Sequence, residues 1–531
     1  MIDVLICGAG PSGLHLAAQL LKRGLTVRLI DKSLTPSDKS KAIIVHARTL
    51  ELLEELELAG QFIENGVIYD YLEMRTEKGL ISQIHLDKIP SKYNFIMAIE
   101  QSQTEALFIE YLKNNHLEVD RDIELISFVQ NSEKVKYTTR NNTTGQIEEL
   151  ETRWLIGCDG AHSIVRKGLK LEFSGVAFHE IISLADLEVD WKYPEKVGVG
   201  FLTQKGIFLA LPIKGDHRYR LLFTLDRLNA IKNIQDIAQG IVDTSIASPP
   251  TIEEIQHLIR SVADPNATLK NPNWLSNFKL SSRVVDSFQE GRVFLAGDSA
   301  HIHTPLGGQG MNTGIQDGYN LAWKLAMVQK NQAYDSLLQS YTIERHENAL
   351  KLLSATEKGT RAILLKENWK TLLTKIVSFV SSIQAVKNKL VLAVSQLAVK
   401  YSKNPWVVQK FSFHIKTPAG HRAPDAVMIS SNDGKKRLFD FFKENLNYRL
   451  LLIDLEGHVD DYDSVKNIFK EEYHDLVKPV VITSKEDSEG DFAGFYGNQT
   501  VYLIRPDGYV GYCGPLKKMD ELYRYLDHIL K

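Results

Sequence analysis

The sequence predicts an α/β fold divided into two or three domains. Three observations carry that expectation. The chain opens with a strand, a glycine-rich turn, a helix and a second strand ending in an acid. Two distant segments, near residues 157 and 297, each show a short apolar strand closed by small residues and an aspartate. From about residue 415 the pattern alternates between strand and helix once more. At 531 residues the chain is also too long for a single hydrophobic core.

Composition sets the outer bounds. An apolar share of 44% with 24% charged residues is that of an ordinary globular chain. A net charge of −3 offers nothing to attract a nucleic acid. Cys7, Cys158 and Cys513 lie far apart, so no disulfide framework and no cysteine zinc site is expected, as in a reducing compartment. The first apolar run, VLICGAG, begins at Val4 without a basic leader, and no run of about eighteen apolar residues occurs after it. The expectation is a cytoplasmic protein with no membrane span.

Val4–Cys7 reads as a buried strand, Leu14–Arg23 as a helix and Thr26–Ile30 as a second strand. Between the first two lies Gly8-Ala-Gly10-Pro-Ser12-Gly13. In such a turn the first glycine makes the bend, the second admits a pyrophosphate, and the third lets helix and strand pack closely. Helix N-terminal amides complete the anion site. Asp31, followed by Lys32, stands where an acid bonds a ribose hydroxyl. This motif predicts a dinucleotide but does not choose between FAD and NAD.

Leu155–Ile156 and Val293–Ala296 end in Gly157-Cys-Asp159-Gly160 and Gly297-Asp298, which predicts acids at the ligand-binding edge of a parallel sheet. The stretch Gly297–Asp317 holds five glycines, two acids and two histidines in twenty-one residues and few bulky apolar side chains. Core packing does not explain it. An amphipathic helix is expected only from Ile315 to Met327.

With these motifs the chain resembles the class A FAD-dependent aromatic monooxygenases, the para-hydroxybenzoate and phenol hydroxylase family. GAGPSG, CDGAHSIVR, GDSAHIHTPLGGQGMNTGIQD and RPDGYV carry the resemblance. It implies a Rossmann-type FAD-binding domain from 1–70, 99–180 and 281–345, and a substrate-binding sheet from 71–98 and 181–280. It also implies a helical connection over 346–414 and a thioredoxin-like α/β domain over 415–531, lacking a CxxC pair. Asp159 and Gly160 would help hold FAD, Asp298 its ribityl chain, and Gln101 its phosphate and ribityl region. Pro305 would lie at the reactive side of the flavin. Gly308, Gly310, Met311 and Asn312 would lead into a helix aimed at its pyrimidine. The family's usual arginine is Lys41 here, which keeps charge but not bidentate geometry, and Arg48 is a second cationic candidate.

The implied reaction is hydroxylation of a phenolic or polycyclic aromatic substrate through a flavin hydroperoxide, with molecular oxygen and NADPH or NADH consumed. No second glycine fingerprint exists for the nicotinamide, as the family leads one to expect. Epoxidation or oxidative decarboxylation of a polyketide, and a non-catalytic FAD-containing binding subunit, stand as alternatives. Strands at Ile181–Val189, Val197–Leu202, Ile207–Pro212 and Tyr219–Leu225 would roof the flavin. Ile44, Phe201, Leu209, Leu211, Tyr219 and Leu221 are the pocket candidates, and His46 is the candidate base. His301 and His303 lack the further ligands of a metal site, so none is expected. A homodimer through the helical connection stays open.

Overall fold

The structure is a computed structural model. It describes residues 1–37, 42–203, 206–224, 248–363, 384–402, 404–430, 434–444, 446–457, 462–474 and 476–531. The first sheet is built on Ile2–Cys7, a strand with four buried residues at its end. It pairs in parallel with Val27–Asp31 on one side and Ile147–Gly157 on the other. The latter in turn pairs in parallel with Val293–Leu295. The register brings the strand ends level. Cys7 is opposite Gly157, and Gly157 is opposite Leu295. The turns after these three strands therefore emerge side by side at one carboxyl edge, though nearly 300 residues separate the first from the last.

The second sheet runs in the order His301–Ile302, Thr268–Val285, Phe173–Asp190, Arg218–Thr224, Gly206–Pro212, Val197–Thr203, Tyr71–Thr76, Gly79–Ile84. Tyr71–Thr76 and Gly79–Ile84 join this sheet through parallel pairing of Tyr71–Thr76 with Val197–Thr203, whereas Ile96–Ala98, from the same 71–98 piece, pairs instead with Ile44–Val45 and Val67–Tyr69. The strand expected from Ile181 begins at Phe173 and stays paired with its long antiparallel partner to Asp190. One face of this sheet packs under the helix Ile252–Val262, whose Ile255 and Ile259 are buried. The other face looks toward the first sheet.

The C-terminal sheet orders Val408–Gln409, Val510–Pro515, Thr500–Ile504, Tyr448–Ile453, Val477–Ile482, with the helices Tyr462–Glu472 and Met519–Ile529 beside it. Strands and helices alternate here, and a helix ends the described chain. Among the described residues no helix is long and apolar enough to cross a membrane.

Between the units runs the helix Gly310–Gln329. The amphipathic pattern expected of it is overturned, because every residue from Met311 to Val328 is buried. Its third glycine, Gly318, lies against Leu16, so the helix Pro11–Lys22 covers one side closely. The C-terminal domain covers another. Its polar residues are buried with partners: Lys324 bonds Glu344 at 2.7 Å, and Asn320 reaches both Glu344 and Asp507. Burial pushes the Lys324 ammonium down to about 8 despite the Glu344 carboxylate beside it.

Candidate functional site

Three turns at the sheet edge build the site. Gly8 has φ +103°, in the left-handed region, and a Cβ there would strike the Cys158 carbonyl. A Cβ on Gly13 would strike the carbonyl of Gly8. Gly10 differs. It has an ordinary φ of −77° as the residue before the helix, and a Cβ there would meet no atom within 4 Å. Its bare face opens into the cavity. Asp31 braces the turn, accepting from the Ala9 amide at 2.7 Å and the Ser33 amide at 2.8 Å. Lys32 is exposed beside it.

At the second turn Asp159 Oδ2 accepts from the Ile164 amide at 2.7 Å, while Oδ1 is buried without a hydrogen bond. Burial raises this carboxyl's pKa, against the hydrogen bonds that lower it. Arg166 stitches the second turn to the third, donating to the Ala161 carbonyl at 2.7 Å and the Ser299 carbonyl at 3.0 Å. At the third turn Gly297 takes φ +62° and its amide donates to Asp317 at 3.0 Å. Asp317 also binds His301 Nε2 and Arg345 Nε, each at 2.7 Å. The carboxylate of Asp298 is left exposed, facing the cavity.

The loop beyond Asp298 turns through Pro305, Gly307 and Gly308. A Cβ on Gly308, at φ +63°, would come 2.6 Å from the Ile44 side chain, so the segment around Ile44 passes directly over this loop. Asn312 ties the two. Its amide donates to the carbonyls of Ile44 and Gly308, both at 2.8 Å, and its oxygen accepts from the His46 amide and the Thr49 hydroxyl. That commits the side chain to the fold, and Asn312, itself buried, is not among the residues that line the cavity. His46 Nε2 is 3.0 Å from the Gly307 carbonyl and therefore carries the proton. Burial lowers this imidazole's pKa to about 4. The candidate base His46 therefore lines the cavity with its Nε2–H fastening the loop, while its buried Nδ1 has no hydrogen-bond partner.

A cavity of about 640 Å³ joins these turns to the second sheet. Gly10, Ser12, Gln101, Gly160, Asp298 and Pro305 line one end. Gln101 accepts from the Ala42 amide at 3.2 Å and donates to Glu105 at 2.9 Å. Gly308, Gly310 and Met311 come next, with the helix N-terminus behind them. Ile44, Leu209 and Leu211 also line its wall.

Phe201, Tyr219 and Leu221 do not. They are buried on the opposite face, in the core beneath the Ile252–Val262 helix. The reason is sheet parity. Leu209 pairs with Leu222, and Ala210 with Leu221, so Leu221 points away from Leu209. The cavity side of the strand Arg218–Thr224 is Arg220, Leu222 and Thr224. Cross-strand pairing would have found these residues, but single-strand patterns do not reveal it. Thr360 and Val394, from the helical connection, also line the cavity without any local signal. Arg220 is clamped by Asp186, its Nε 2.7 Å from Oδ1, with both side chains buried.

Residues 1–356 match the FAD binding domain family, and residues 416–531 match the aromatic-ring hydroxylase C-terminal family. The chain belongs to the FAD-dependent aromatic-ring hydroxylases. It is 28% identical to pentachlorophenol 4-monooxygenase of Sphingobium chlorophenolicum, over 99% of this chain and 96% of that one. To 6-methylpretetramide 4-monooxygenase of Streptomyces rimosus it is 31% identical, over 76% of this chain and 70% of the relative. The solved anhydrotetracycline hydroxylase OxyS of Streptomyces rimosus superposes with a TM-score of 0.78 at 26% identity, covering 99% of both chains.

The residues of this hydroxylase fit FAD. The open face of Gly10, the glycine-lined loop and the cavity that joins them provide a cradle for it. Two cationic candidates part company here. Lys41 lies outside the described residues. Arg48 is buried away from the cavity, bonded to Glu51 at 2.9 Å and to the Asp507 carbonyl at 2.6 Å, with its guanidinium over the Tyr509 ring. It is a domain-interface residue, not a phosphate contact. Among the described residues no group of three metal-ligating side chains occurs, and His303 Nδ1 instead bonds the Thr304 carbonyl.

Proposed function

We propose that this flavoenzyme consumes NADPH or NADH and hydroxylates a phenolic or polycyclic aromatic ring held in the cavity. The observation that carries the reading is the cavity itself, continuous from the glycine turn to the leucine-rich wall. FAD, when bound, supplies electron transfer from the nicotinamide and the activation of oxygen.

The chain's own residues do the rest. The Gly10 face and the helix start at Pro11 take the pyrophosphate, and Asp298 and Gln101 take the ribityl region. The N-terminus of the Gly310–Gln329 helix favours negative charge at the cavity's inner end, where its first amides have no intrahelical acceptor. His46 Nε2–H holds the Gly307 carbonyl, and Asn312 holds the Ile44 carbonyl, so this loop and the neighbouring strand are fastened together at the cavity. The apolar wall excludes water from the reacting centre.

The relatives are named for pentachlorophenol, a one-ring phenol, and for 6-methylpretetramide and anhydrotetracycline. Their spread supports an aromatic substrate and leaves its size to the shape of this cavity. The test is purified protein scanned for flavin absorbance, then screened for NADPH and NADH consumption stimulated by phenols. Coupled formation of hydroxylated product is expected. A protein that stays colourless with added FAD, or whose nicotinamide consumption ignores every aromatic compound, would defeat the proposal.

A further inference from the structure

Two glycines in the cavity wall have no backbone reason to be glycine. Gly198 and Gly200 sit inside the strand Val197–Thr203, and neither has a positive φ. In a strand interior, glycine costs stability relative to alanine. Their neighbours give the reason. Gly198 pairs with Leu72, and Gly200 pairs with Met74 on one side and Leu209 on the other. A Cβ on Gly198 would lie 2.6 Å from Leu72 Cδ2 and 3.3 Å from Leu211 Cδ2. A Cβ on Gly200 would lie 2.7 Å from Met74 Sδ and 2.8 Å from Leu209 Cδ2.

The four long side chains are therefore folded down over a strand that offers none of its own. All four line the cavity, as do both glycines. Flanking strands lie roughly 10 Å apart across a central one, so the result is a broad, flattened apolar floor. Adding a methyl at either glycine would lift the tips of these side chains off the strand and into the cavity.

We infer that Gly198 and Gly200 determine substrate size, keeping the wall low enough for a flat phenol of three or more fused rings. This rests on the hydroxylase reading and names its substrate class. A single-ring phenol does not need the space that the glycines preserve.

The holoenzyme, its Gly200→Ala variant and the double variant Gly200→Ala/Met74→Ala would be titrated by calorimetry with phenol and with 1,8-dihydroxyanthraquinone. Gly200→Ala is expected to weaken the three-ring probe at least tenfold and to change phenol less than twofold. Its melting temperature should be no lower than that of the wild type. Removing the displaced Met74 side chain should restore most of the three-ring affinity. An unchanged affinity ratio in Gly200→Ala, or a double variant as weak as the single, would overturn the inference while leaving the hydroxylase reading intact. A wild-type holoenzyme that binds neither probe would sink both.

Discussion

Replacing Asp317 by alanine should show that this residue builds the site without touching its contents. Its carboxylate is fully buried and receives the Gly297 amide, His301 Nε2 and Arg345 Nε. Burial alone would raise its pKa, but Arg345 and His301 outweigh that and hold it below the usual carboxylate value. Both side chains of the Asp317–Arg345 pair are 0% exposed, so removing one leaves an uncompensated interior charge, at about 3–5 kcal/mol. Two further buried donors lose their acceptor, each worth about 1–3 kcal/mol before relaxation. These terms overlap, and about 5 kcal/mol in total is a large part of a domain's stability. Urea unfolding of flavin-free protein, followed by tryptophan fluorescence, reads the change. The comparison is Asp298→Ala, whose carboxylate faces the cavity: flavin affinity should fall at least tenfold while the unfolding midpoint barely moves. An Asp317→Ala midpoint within about 1 kcal/mol of wild type would refute the reasoning, because Asp317 would then not be the anchor of the Gly297 turn.

The two leading glycines should fail differently. Gly8→Ala strains a left-handed residue against Cys158 and should lower the melting temperature of the apoprotein, whereas Gly10→Ala should melt normally yet bind FAD at least tenfold more weakly, as flavin absorbance after gel filtration would show. If Gly10→Ala purifies as yellow as wild type, the phosphate does not sit there. Arg48→Ala should cost about 3 kcal/mol of stability through its buried Glu51 pair and leave FAD affinity within about twofold; a tenfold affinity loss at unchanged stability would return it to the cofactor site. Acid should destabilise the fold before carboxylates titrate. Burial lowers His15 to about 3 and His46 and His303 to about 4, so between about pH 6.5 and 4 the unfolded chain binds protons that the folded chain refuses. Each contributes about 1.4 kcal/mol of lost stability per pH unit in that window, and urea midpoints that stay flat from pH 7 to 5 would contradict this burial.

Local chemistry made most of the cofactor end legible. Gly8, Gly10 and Gly13 come directly after a buried strand, and Asp298 after another, because a dinucleotide turn needs particular residues within a few positions. The pocket wall was half legible. Leu209 and Leu211 face the cavity, but Tyr219 and Leu221 are equally apolar and face the opposite core. Both faces of that sheet are buried, so hydrophobic alternation carries no sign telling one from the other.

The sequence by itself determined the three small-residue turns, the strands that precede them and the glycines that let backbone approach a ligand. These depend on conformations available to residues near one another in the chain. Tertiary structure alone decided that Arg48 serves the C-terminal domain, that Thr360 and Val394 close the cavity, and that the Gly310–Gln329 helix is buried on every side. A buried cation looks the same in sequence whether its partner is a phosphate or a carbonyl 459 residues away. Only the packed chain places one of them within reach.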